Sequence, residues 1–393
     1  MRRRSGCRTV PNGKSYILFC AGEDSGDVIG VALVSTLVTD SHFGALGAGG
    51  ARMQNAGMRS VVDFENLPVS GFGDVLPRYF KLRRSYRKLK EMLKSPGCLG
   101  LVAIDYPGFN MKLTKLAGAL RKPTLYVAPP QVWAWKQKRA LELANNPYVK
   151  LAVFFDFEEK AYRSAGCDVV RVRHPFINSS LQGNAAPATV TSPCCLLLPG
   201  SRKSQALRNL PLYLKSLQLA RKSMVISRMD VVLLAARQEL VNVFEKVLRQ
   251  FGDEELLRKI RVDVAPQNAD DRALLYRSAK LALTAPGTAT LELALSGCPM
   301  VICTKPDILT YGLASRFVKT KYFALPNIIL DKLVYPEIIV APGGEHLAVA
   351  NVAEQIATMC ISKQESDTDA LYSKLSVDKP LESLMSEFLR QFV

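Results

Sequence analysis

The chain has 393 residues, of which 48% are apolar and 22% charged, with 25 glycines and 22 prolines. This composition is that of a folded protein of two or three domains, and it excludes wholesale disorder, collagen-like repeats and coiled coils. The net charge of +17 is concentrated in the first 180 residues, which hold 27 of the 52 basic residues but only 14 of the 35 acidic ones, so we expect an anionic partner.

Several classes of protein are excluded by what the sequence lacks. The longest unbroken apolar runs, such as Ile29–Val34, fall far short of the ~20 residues that a membrane-spanning helix needs. The nine scattered cysteines form no CxxC pair and only three histidines are present, so we predict reduced thiols, a cytoplasmic location, no metal and no cofactor. No zinc-finger, RNP-type or basic-zipper pattern is present, which argues against nucleic acid as the anionic partner.

Taken in chain order, short β-type runs alternate with helical patterns such as residues 207–222 and 238–251. The alternation predicts parallel sheets covered by helices. The runs predicted as strands are Tyr16–Ala21, Leu101–Ile104, Thr124–Val127, Leu151–Phe155, Val169–Val172, Cys195–Leu198, Val231–Ala235, Ile260–Val264, Leu281–Thr284 and Met300–Cys303.

The domain organisation follows from one break in this alternation. Residues 178–193 are uncharged and rich in Ser, Thr, Ala and Pro, which is typical of a linker. We therefore predict an α/β protein with two Rossmann-like domains that face a cleft, over residues 15–177 and 194–350, after a loose extension over residues 1–14. Helices over residues 351–393 follow, and in such an architecture they can return to the first domain.

The loops after the predicted strands of the first domain carry carboxylates rather than a dinucleotide-type glycine motif. In AGEDSGDVIG, Glu23, Ser25 and Asp27 are suited to sugar hydroxyls, whereas a cluster of carboxylates would repel a pyrophosphate. Acidic residues are also favoured near any helix N-terminus, so a structural role stays open. Asp105 follows the strand Leu101–Ile104 and is a candidate general base, or alternatively a cap of the next turn.

Two turns of the second domain, LLLPGSR and PGTATLELAL, are suited to phosphate, through Gly200, Ser201, Arg202, Gly287 and Thr288. Backbone N–H groups, a hydroxyl and a guanidinium can meet an anion at the first turn. Thr288 is the predicted N-cap of a helix whose N-terminus would point at the same anion. Glu292 lies four residues later on the same helix face, where it can accept hydrogen bonds from both hydroxyls of a ribose.

Three further stretches are predicted to be structural. GAGG at 47–50 lacks the dinucleotide spacing and is predicted to be a plain turn. Asp367-Thr368-Asp369 matches a DxD metal pattern but does not follow a predicted strand. DFEE at 156–159 is predicted to be a solvated helix start.

Taken in order, seven motifs resemble those of the bacterial lipid-A-disaccharide synthase family: AGEDSGD, GAGGARMQNAGM, IDYPGFN, PPQVWAWK, LLLPGSR, PGTATLELALSGCPM and FALPNI. The resemblance covers residues 16–350 and implies a two-domain glycosyltransferase of the GT-B type. It implies inverting transfer of 2,3-diacylglucosamine from UDP-2,3-diacylglucosamine to 2,3-diacylglucosamine 1-phosphate. The products would be a β-1,6 disaccharide 1-phosphate and UDP, in the lipid A biosynthesis of a Gram-negative bacterium.

The resemblance also implies roles for single residues. Asp105 would take the proton of the acceptor 6-hydroxyl, and Asn327 would place an amide near the donor sugar. Arg202 and a helix N-terminus would offset charge on the leaving UDP without a metal. The sequence departs from the family pattern at Gly108, Arg173, Gln205 and Pro286. Another UDP-sugar enzyme of this fold (an N-acetylglucosaminyltransferase or an epimerase) and a non-catalytic lipid- or nucleotide-binding protein stay open as alternatives.

Because both implied substrates carry acyl chains, we expect peripheral contact with the anionic cytoplasmic face of the inner membrane. Residues 66–80, broken by Gly and Pro, contribute the apolar side chains of Val69, Phe72, Val75, Leu76 and Phe80. Residues 78–94 hold eight Lys/Arg and one acid, and they predict a basic helix with one narrow apolar stripe that includes Leu89 and Leu93. Its headgroup contacts would include Arg83, Arg84 and Arg87. The alternative is a surface helix packed on its own domain.

Overall fold

The computed structural model describes residues 15–64, 67, 71–134, 137–177, 194–221, 227, 229–317, 320–361 and 367–392. The described residues form two compact α/β units. The first holds the strands up to residue 173 and takes up the chain again from Val377, and the second holds the strands between residues 174 and 376. The extension over residues 1–14 and the predicted linker over residues 178–193 lie outside the described residues.

The first unit is built on a parallel sheet. Its described strands are Tyr16–Ala21 (β1), Gly44–Ala48 (β2), Arg59–Ser60 (β3), Cys98–Ile104 (β4), Thr124–Val127 (β5), Val149–Val153 (β6) and Val169–Arg171 (β7). They lie in the order β3-β2-β1-β4-β5-β6-β7. The connecting helices are Asp24–Asp40 (α1), Ala51–Asn55 (α2), Gly71–Lys94 (α3), Pro107–Ala119 (α4), Lys138–Ala144 (α5) and Asp156–Ser164 (α6). Every residue of β1 and β5 is buried, as expected of parallel strands covered on both faces.

The second unit repeats this plan. Its described strands are Cys194–Leu198 (β8), Asp230–Ala235 (β9), Ile260–Val264 (β10), Leu281–Thr284 (β11), Met300–Thr304 (β12) and Glu337–Ile339 (β13), in the order β10-β9-β8-β11-β12-β13. Its described helices are Lys203–Ala220 (α7), Gln238–Phe251 (α8), Glu254–Leu257 (α9), Ala269–Ser278 (α10), Thr288–Leu295 (α11), Ile308–Phe317 (α12), Leu325–Leu330 (α13), Glu345–Ile361 (α14) and Thr368–Leu375 (α15).

The last helix of the chain, Leu381–Leu389 (α16), belongs to the first unit, whereas α14 and α15 belong to the second. On α16, Ser386 donates a hydrogen bond of 2.7 Å to the Asp40 carboxylate at the end of α1. A Cβ at Gly100 in β4 would lie 3.0 Å from the Phe392 ring. The return of the chain therefore covers the first sheet with aromatic side chains.

The predicted fold class, two α/β domains with parallel sheets, is confirmed. The sequence analysis missed β2, β3 and β13. Apart from Leu46, β2 consists of Gly and Ala, and it lacks the β-branched side chains that indicate a strand. Because β2 ends at Ala48, the first half of the GAGG stretch is strand rather than turn. The other two missed strands are only two and three residues long.

The segment around Phe80 differs from its prediction. Gly71–Lys94 is one continuous helix rather than a broken loop followed by a helix. Leu89 and Leu93 in its second half are fully buried, and Tyr86 contacts the Phe109 ring edge-on with centroids 5.3 Å apart. The apolar stripe therefore packs on its own unit, as the structural alternative predicts. Among the described residues, no helix combines the length and apolar character that crossing a membrane requires.

Candidate active site

Each sheet has one switch point, where two neighbouring strands are connected to helices that lead in opposite directions along the sheet. Most of the predicted site residues lie in the loops or helices that follow these strands. These neighbouring pairs of parallel strands are β1 with β4 in the first unit and β8 with β11 in the second. Ligands of open α/β sheets bind outside the carboxyl ends of the strands at such a switch point. The four loops that follow residues 21, 104, 198 and 284 are therefore the candidate ligand-binding loops.

Asp105 follows β4 in a turn with an unusual backbone. Asp105 and Tyr106 have φ angles of +49° and +51°, in the left-handed region that residues with side chains disfavour. The Asp105 N–H donates to the Val127 carbonyl oxygen (2.9 Å), and the Asp105 carbonyl oxygen accepts from the Asn110 amide (2.8 Å) and the Tyr126 hydroxyl (3.2 Å). Asp105 is half-buried, and the structure places its carboxylate at the switch point on a main chain that three hydrogen bonds hold.

The Tyr106 ring closes this turn against the loop after β1. Its hydroxyl donates to the Leu67 carbonyl oxygen (2.8 Å), and its ring stacks on Phe109 with centroids 5.4 Å apart. A Cβ at Gly22 would lie 2.2 Å from the Tyr106 ring, so only glycine fits there. The glycine of the AGEDSGD motif therefore permits close approach of two loops.

The acidic AGEDSGD motif, which runs from the end of β1 into the first turn of α1, contains one buried carboxylate and two half-buried candidate residues. Asp27 is 3% exposed, and its carboxylate accepts hydrogen bonds from the N–H groups of Arg52 (3.1 Å) and Met53 (3.2 Å) at the start of α2. Burial raises the pKa of Asp27, while these N–H donors act in the opposite direction. These contacts show that Asp27 positions α2, and its predicted part in acceptor binding stays a prediction. Glu23 and Ser25 are half-buried, and their role stays a prediction.

Glu158 is a buried carboxylate where the sequence predicted a solvated one. It is the third residue of α6 and 6% exposed, and its Oε2 accepts from the N–H groups of Phe154 and Phe155, both at 3.3 Å. Burial raises its pKa to about 7, and the two N–H donors only partly offset this. The helix start is therefore correctly predicted, but Glu158 is held within the unit.

Glu158 should make stability depend on pH. An unfolded glutamate loses its proton near its ordinary pKa of 4.5, whereas the folded group keeps it until about 7, so this group's contribution to stability falls as pH rises from 4.5 to 7. Glu158→Gln has no proton to lose. Relative to wild type, its free energy of unfolding should rise by about 3 kcal/mol between pH 4.5 and pH 8, measured by urea unfolding.

The exposed Glu142→Gln on α5 is the control for Glu158→Gln, and its free energy of unfolding should follow that of wild type across the same pH range. A Glu158→Gln variant that also runs parallel to wild type would show that the buried carboxyl does not titrate in this interval.

In the second unit, the PGSR turn is shaped by its neighbours. Gly200 has φ +125°, and a Cβ there would lie 2.4 Å from the side-chain oxygen of Gln205. Arg237 donates to the Ser201 carbonyl oxygen at 3.2 Å. Ser201 is exposed, and Arg202 is half-buried as the N-cap residue of α7. A hydroxyl, a guanidinium and a helix N-terminus therefore meet at the end of β8, which suits an anion.

The second phosphate-suited turn lies directly beside the first. The Ala285 N–H, just after β11, donates to the Leu198 carbonyl oxygen at 2.9 Å. The N-cap of α11 is Gly287, with φ +156°, rather than the predicted Thr288, which is the first helical residue. Both residues are exposed, whereas the Thr290 hydroxyl donates back to the Gly287 carbonyl oxygen at 2.7 Å. The structure therefore corrects the predicted N-cap residue from Thr288 to Gly287. The N-terminus of α11 lies at the switch point, as the sequence predicts.

Glu292, predicted to bind a ribose, forms an ion pair with Arg272 of α10. Arg272 Nε donates to both carboxylate oxygens (3.0 and 3.1 Å) and Nη2 to one of them (2.5 Å), and the side chains are 10% and 16% exposed. Oε1 accepts from both nitrogens and Oε2 from Nε alone, so Arg272 orients Glu292 and leaves a lone pair on Oε2 that can accept a further hydrogen bond. The pair lines a pocket together with Phe176, Tyr276 and Leu295.

Asn327, predicted beside the donor sugar, is fully buried and fully hydrogen-bonded. Its Nδ2 donates to the Tyr335 carbonyl oxygen (2.7 Å) and the Glu337 carboxylate (2.8 Å), and its Oδ1 accepts from the N–H groups of Val334 and Tyr335, both at 3.0 Å. The amide has no further donor to offer a sugar. Asn327 therefore holds the turn that leads into β13, and its predicted place near the donor sugar stays a prediction.

The predicted membrane-contact residues are only partly within the described residues. Phe80 is 77% exposed, and Arg83, Arg84 and Arg87 are exposed on α3. Val69 and the side chains of Phe72, Val75 and Leu76 lie outside the described residues. The described part of this segment therefore presents one aromatic side chain and a row of cations to solvent.

The DxD-type stretch takes part in ordinary structural contacts. The Asp367 carboxylate accepts from Lys332 Nζ at 3.2 Å, and the Thr368 hydroxyl donates to the Ala294 carbonyl oxygen at 3.1 Å. Within the described ranges, no three His, Cys, Asp or Glu side chains lie close enough together to hold a metal ion.

Comparison with known proteins decides the family. A sequence model of lipid-A-disaccharide synthetase matches residues 17–389, which is nearly the whole chain. The chain belongs to the lipid-A-disaccharide synthetase family. The lipid-A-disaccharide synthase of Trichlorobacter lovleyi is 32% identical over 337 residues, which are 82% of this chain and 83% of that protein.

Solved structures agree at the level of the fold. UGT89C1 of Arabidopsis thaliana has a TM-score of 0.58 at 12% identity, and the match covers 96% of this chain and 99% of that one. The spinosyn rhamnosyltransferase SpnG complexed with thymidine diphosphate has a TM-score of 0.55 at 12% identity, with the same coverage. At this identity the likeness shows the fold alone, which is the GT-B fold of glycosyltransferases.

The departures from the synthase family pattern are accommodated locally. Gly108 is exposed, and a Cβ there would meet no atom within 4 Å, so the position does not constrain the Asp105 turn. Gln205 packs on Gly200. Arg173 donates from Nε to the Val377 carbonyl oxygen at 3.1 Å, and so ties β7 to the returning end of the chain. Gln205 and Arg173 therefore have structural neighbours, and Gly108 faces open space.

The structure adds polar side chains that the sequence analysis of this synthase family member missed. They are buried or half-buried residues that hold the site loops: Asn110, Tyr126, Asn209, Arg237 and Arg272. A buried Asn inside the IDYPGFN motif was the one signal available, because an amide on an apolar helix face needs a partner. The others are far from their partners in sequence and carry no local pattern.

Proposed function

We propose that the protein is a lipid-A-disaccharide synthase that transfers 2,3-diacylglucosamine from UDP-2,3-diacylglucosamine to the 6-hydroxyl of 2,3-diacylglucosamine 1-phosphate. The product is the β-1,6-linked disaccharide 1-phosphate, and UDP leaves. The family match over residues 17–389 carries this proposal. It is supported by the placement of Asp105, Arg202 and Glu292, each of which follows a strand at a switch point.

On the donor side, we assign the UDP moiety to the second unit. Ser201, Arg202 and the N-terminus of α11 at Gly287 and Thr288 would hold the diphosphate. Glu292 would accept hydrogen bonds from the ribose hydroxyls. The positive ends of two helices and the Arg202 guanidinium would stabilise the negative charge that develops on leaving UDP.

On the acceptor side, we assign Asp105 as the general base. Its carboxylate would accept the proton of the acceptor 6-hydroxyl as the oxygen attacks the anomeric carbon of the donor sugar. A single displacement of this kind converts an α-linked donor into a β-linked product. Glu23 and Ser25 would bind acceptor hydroxyls, while Asp27 on α1 positions α2.

The decisive test is turnover of the purified protein with both acylated substrates, followed by UDP release and mass spectrometry of the lipid product. The proposal predicts one UDP released for each disaccharide 1-phosphate formed. Turnover of UDP-N-acetylglucosamine alone would instead favour an N-acetylglucosaminyltransferase or an epimerase. Tight UDP binding without release of product from either donor would favour a non-catalytic binding protein.

We further propose that the protein meets its lipid substrates at the cytoplasmic face of the inner membrane, without spanning it. Phe80 would enter the acyl region, and Arg83, Arg84 and Arg87 would contact anionic headgroups. Each cation near such a surface contributes about 1 kcal/mol at low ionic strength, and salt screens this attraction. The exposure of all four side chains supports the assignment.

Replacement of Arg83, Arg84 and Arg87 by Gln should weaken binding to vesicles of phosphatidylglycerol and phosphatidylcholine by roughly 100-fold at low salt, since about 3 kcal/mol is removed. Wild-type binding should fall steeply as salt is added. Co-sedimentation with the vesicles measures both effects.

The matched control removes three exposed arginines from the second unit, Arg249, Arg258 and Arg261, and should bind vesicles like wild type. If both triple variants lose the same affinity, the attraction reflects net charge alone. If the wild type ignores the vesicles at low salt, α3 is an ordinary surface helix.

A further inference from the structure

Asn110 is a fully buried amide near the start of α4, next to the turn that carries Asp105. Its Nδ2 lies 3.0 Å from the Cys20 carbonyl oxygen, 3.1 Å from that of Ile104 and 2.8 Å from that of Asp105. One side-chain amide thus contacts main-chain oxygens at the ends of both strands of the switch point.

These carbonyl groups need a partner because β1 and β4 end here. In register, Ala21 lies opposite Ile104, and beyond these residues the two chains leave the sheet for different helices. Buried main-chain oxygens are rarely left without a hydrogen bond. The Asn110 amide supplies a hydrogen-bond donor to carbonyl groups near the carboxyl ends of both strands.

The other end of the same side chain indicates a task beyond stability. Among the described residues, Asn110 Oδ1 is buried without a hydrogen-bond partner. A buried polar atom without a partner lowers stability. If packing or stability were the only requirement, an apolar side chain would suit this position better than an amide. The contribution of the Nδ2 hydrogen bonds must therefore exceed the cost of the unpaired Oδ1.

The backbone of the Asp105 turn indicates the role of the Asn110 Nδ2 group. Asp105 and Tyr106 are two consecutive residues in the left-handed region, which residues with side chains adopt only when their surroundings hold them. Asn110 and Tyr126 both donate to the Asp105 carbonyl oxygen. The orientation of that peptide group sets the direction in which the Asp105 side chain leaves the backbone.

We propose that Asn110 is a positioning residue that holds the Asp105 carboxylate in its reactive orientation at the end of β4. The inference rests on the proposed function, because Asn110 acts on the reaction only through Asp105. Tyr126 assists from the neighbouring strand by its bond to the same oxygen.

The test replaces Asn110 by Leu, which has a similar volume and no amide. Turnover with the acylated substrates should fall at least tenfold in kcat, while the Kd for UDP stays within twofold of wild type. Asn146→Ala is the matched control, because its amide also donates to a main-chain oxygen of α4, that of Thr114 at 3.1 Å, but away from Asp105. Its kcat should stay within twofold of wild type.

A second comparison separates positioning from a loss of structure. In the Asp105→Asn background, Asn110→Leu should leave the residual turnover within twofold of Asp105→Asn alone, because the group it positions is already gone. If the fold-reductions in turnover caused by the two substitutions multiply, or if Asn110→Leu alone keeps wild-type kcat, the inference is wrong. Should Asn110→Leu fail to fold, Tyr126→Phe removes the other bond to the Asp105 carbonyl oxygen and should lower kcat about threefold with the same non-additivity.

Hydrogen exchange provides a readout that does not need activity. The Asp105 N–H, bonded to the Val127 carbonyl oxygen, should exchange at least tenfold faster in Asn110→Leu than in Asn146→Ala. If the wild type turns over neither acylated substrate, the proposed function fails, and this measurement still decides whether Asn110 holds the turn. Unchanged exchange together with unchanged kcat overturns the positioning role.

Discussion

Asp105→Asn should lower turnover by ~10²–10⁴-fold, the range that removal of a proton-transfer group produces. The amide keeps the size and shape of the side chain, and the turn is held through main-chain atoms of Asp105, so the local structure should persist. Affinity for UDP should change little, because we assign the nucleotide to the other unit. Single-turnover kinetics with both acylated substrates and calorimetry with UDP measure the two quantities.

The control for Asp105→Asn is Asp156→Asn in the same unit. Asp156 is 43% exposed and pairs with Lys160 at 3.3 Å, and such a surface pair contributes little to stability. Its turnover should match wild type. An Asp105→Asn enzyme within a few-fold of wild type would remove Asp105 from the mechanism and return it to the structural role of capping a turn.

The parts of the fold that could be predicted from sequence are those with a local signal. The strands at both switch points are mainly apolar runs with Gly, Pro or Asp within two residues of their ends. The strands β1, β5, β10 and β11 occur with the bounds that the sequence indicates. The loops that follow such strands are where ligands bind in this kind of sheet. The positions of Asp105 and Arg202 therefore follow from periodicity and turn chemistry.

The roles of single polar residues could not be predicted in the same way, because their partners are distant in sequence. Asp27 meets α2 through residues 52 and 53, and Asn327 meets Glu337 across a turn. A carboxylate or an amide in a loop looks the same in sequence whether it faces a ligand or a buried N–H group. Burial decides between the two roles, and burial is a tertiary property.

The family resemblance and the structure contribute different things to the site. The resemblance identified the IDYPGFN and LLLPGSR loops, but by itself it could not separate residues that contact substrate from those that hold the loops. Asn110 belongs to the first of these motifs, and Gly22 to AGEDSGD, yet both serve the arrangement of neighbouring loops. A motif of this kind therefore marks a region, within which the contacts assign each residue.

Arg202 and Glu292 should differ in their effects on the binding of UDP and of uridine. Arg202→Ala removes a charge-assisted contact worth about 1.5–3 kcal/mol, so the Kd for UDP should rise tenfold or more while that for uridine stays the same. The control is Arg249→Ala, because the Arg249 side chain is 80% exposed and pairs with Glu245 at 3.4 Å. It removes the same charge elsewhere in the unit and should leave the Kd for UDP and for uridine unchanged.

Glu292 should affect both ligands, because its assigned partner is the ribose that UDP and uridine share. Glu292→Gln keeps the shape of the side chain, whereas Glu292→Ala would leave the buried Arg272 guanidinium unpaired and cost about 3–5 kcal/mol of stability. The Gln variant is therefore the one to use, at a temperature where thermal unfolding shows it fully folded. Calorimetry should give a Kd that rises by a similar factor for UDP and for uridine. If Glu292→Gln binds both ligands like wild type, the ion pair with Arg272 is purely structural and the ribose lies elsewhere.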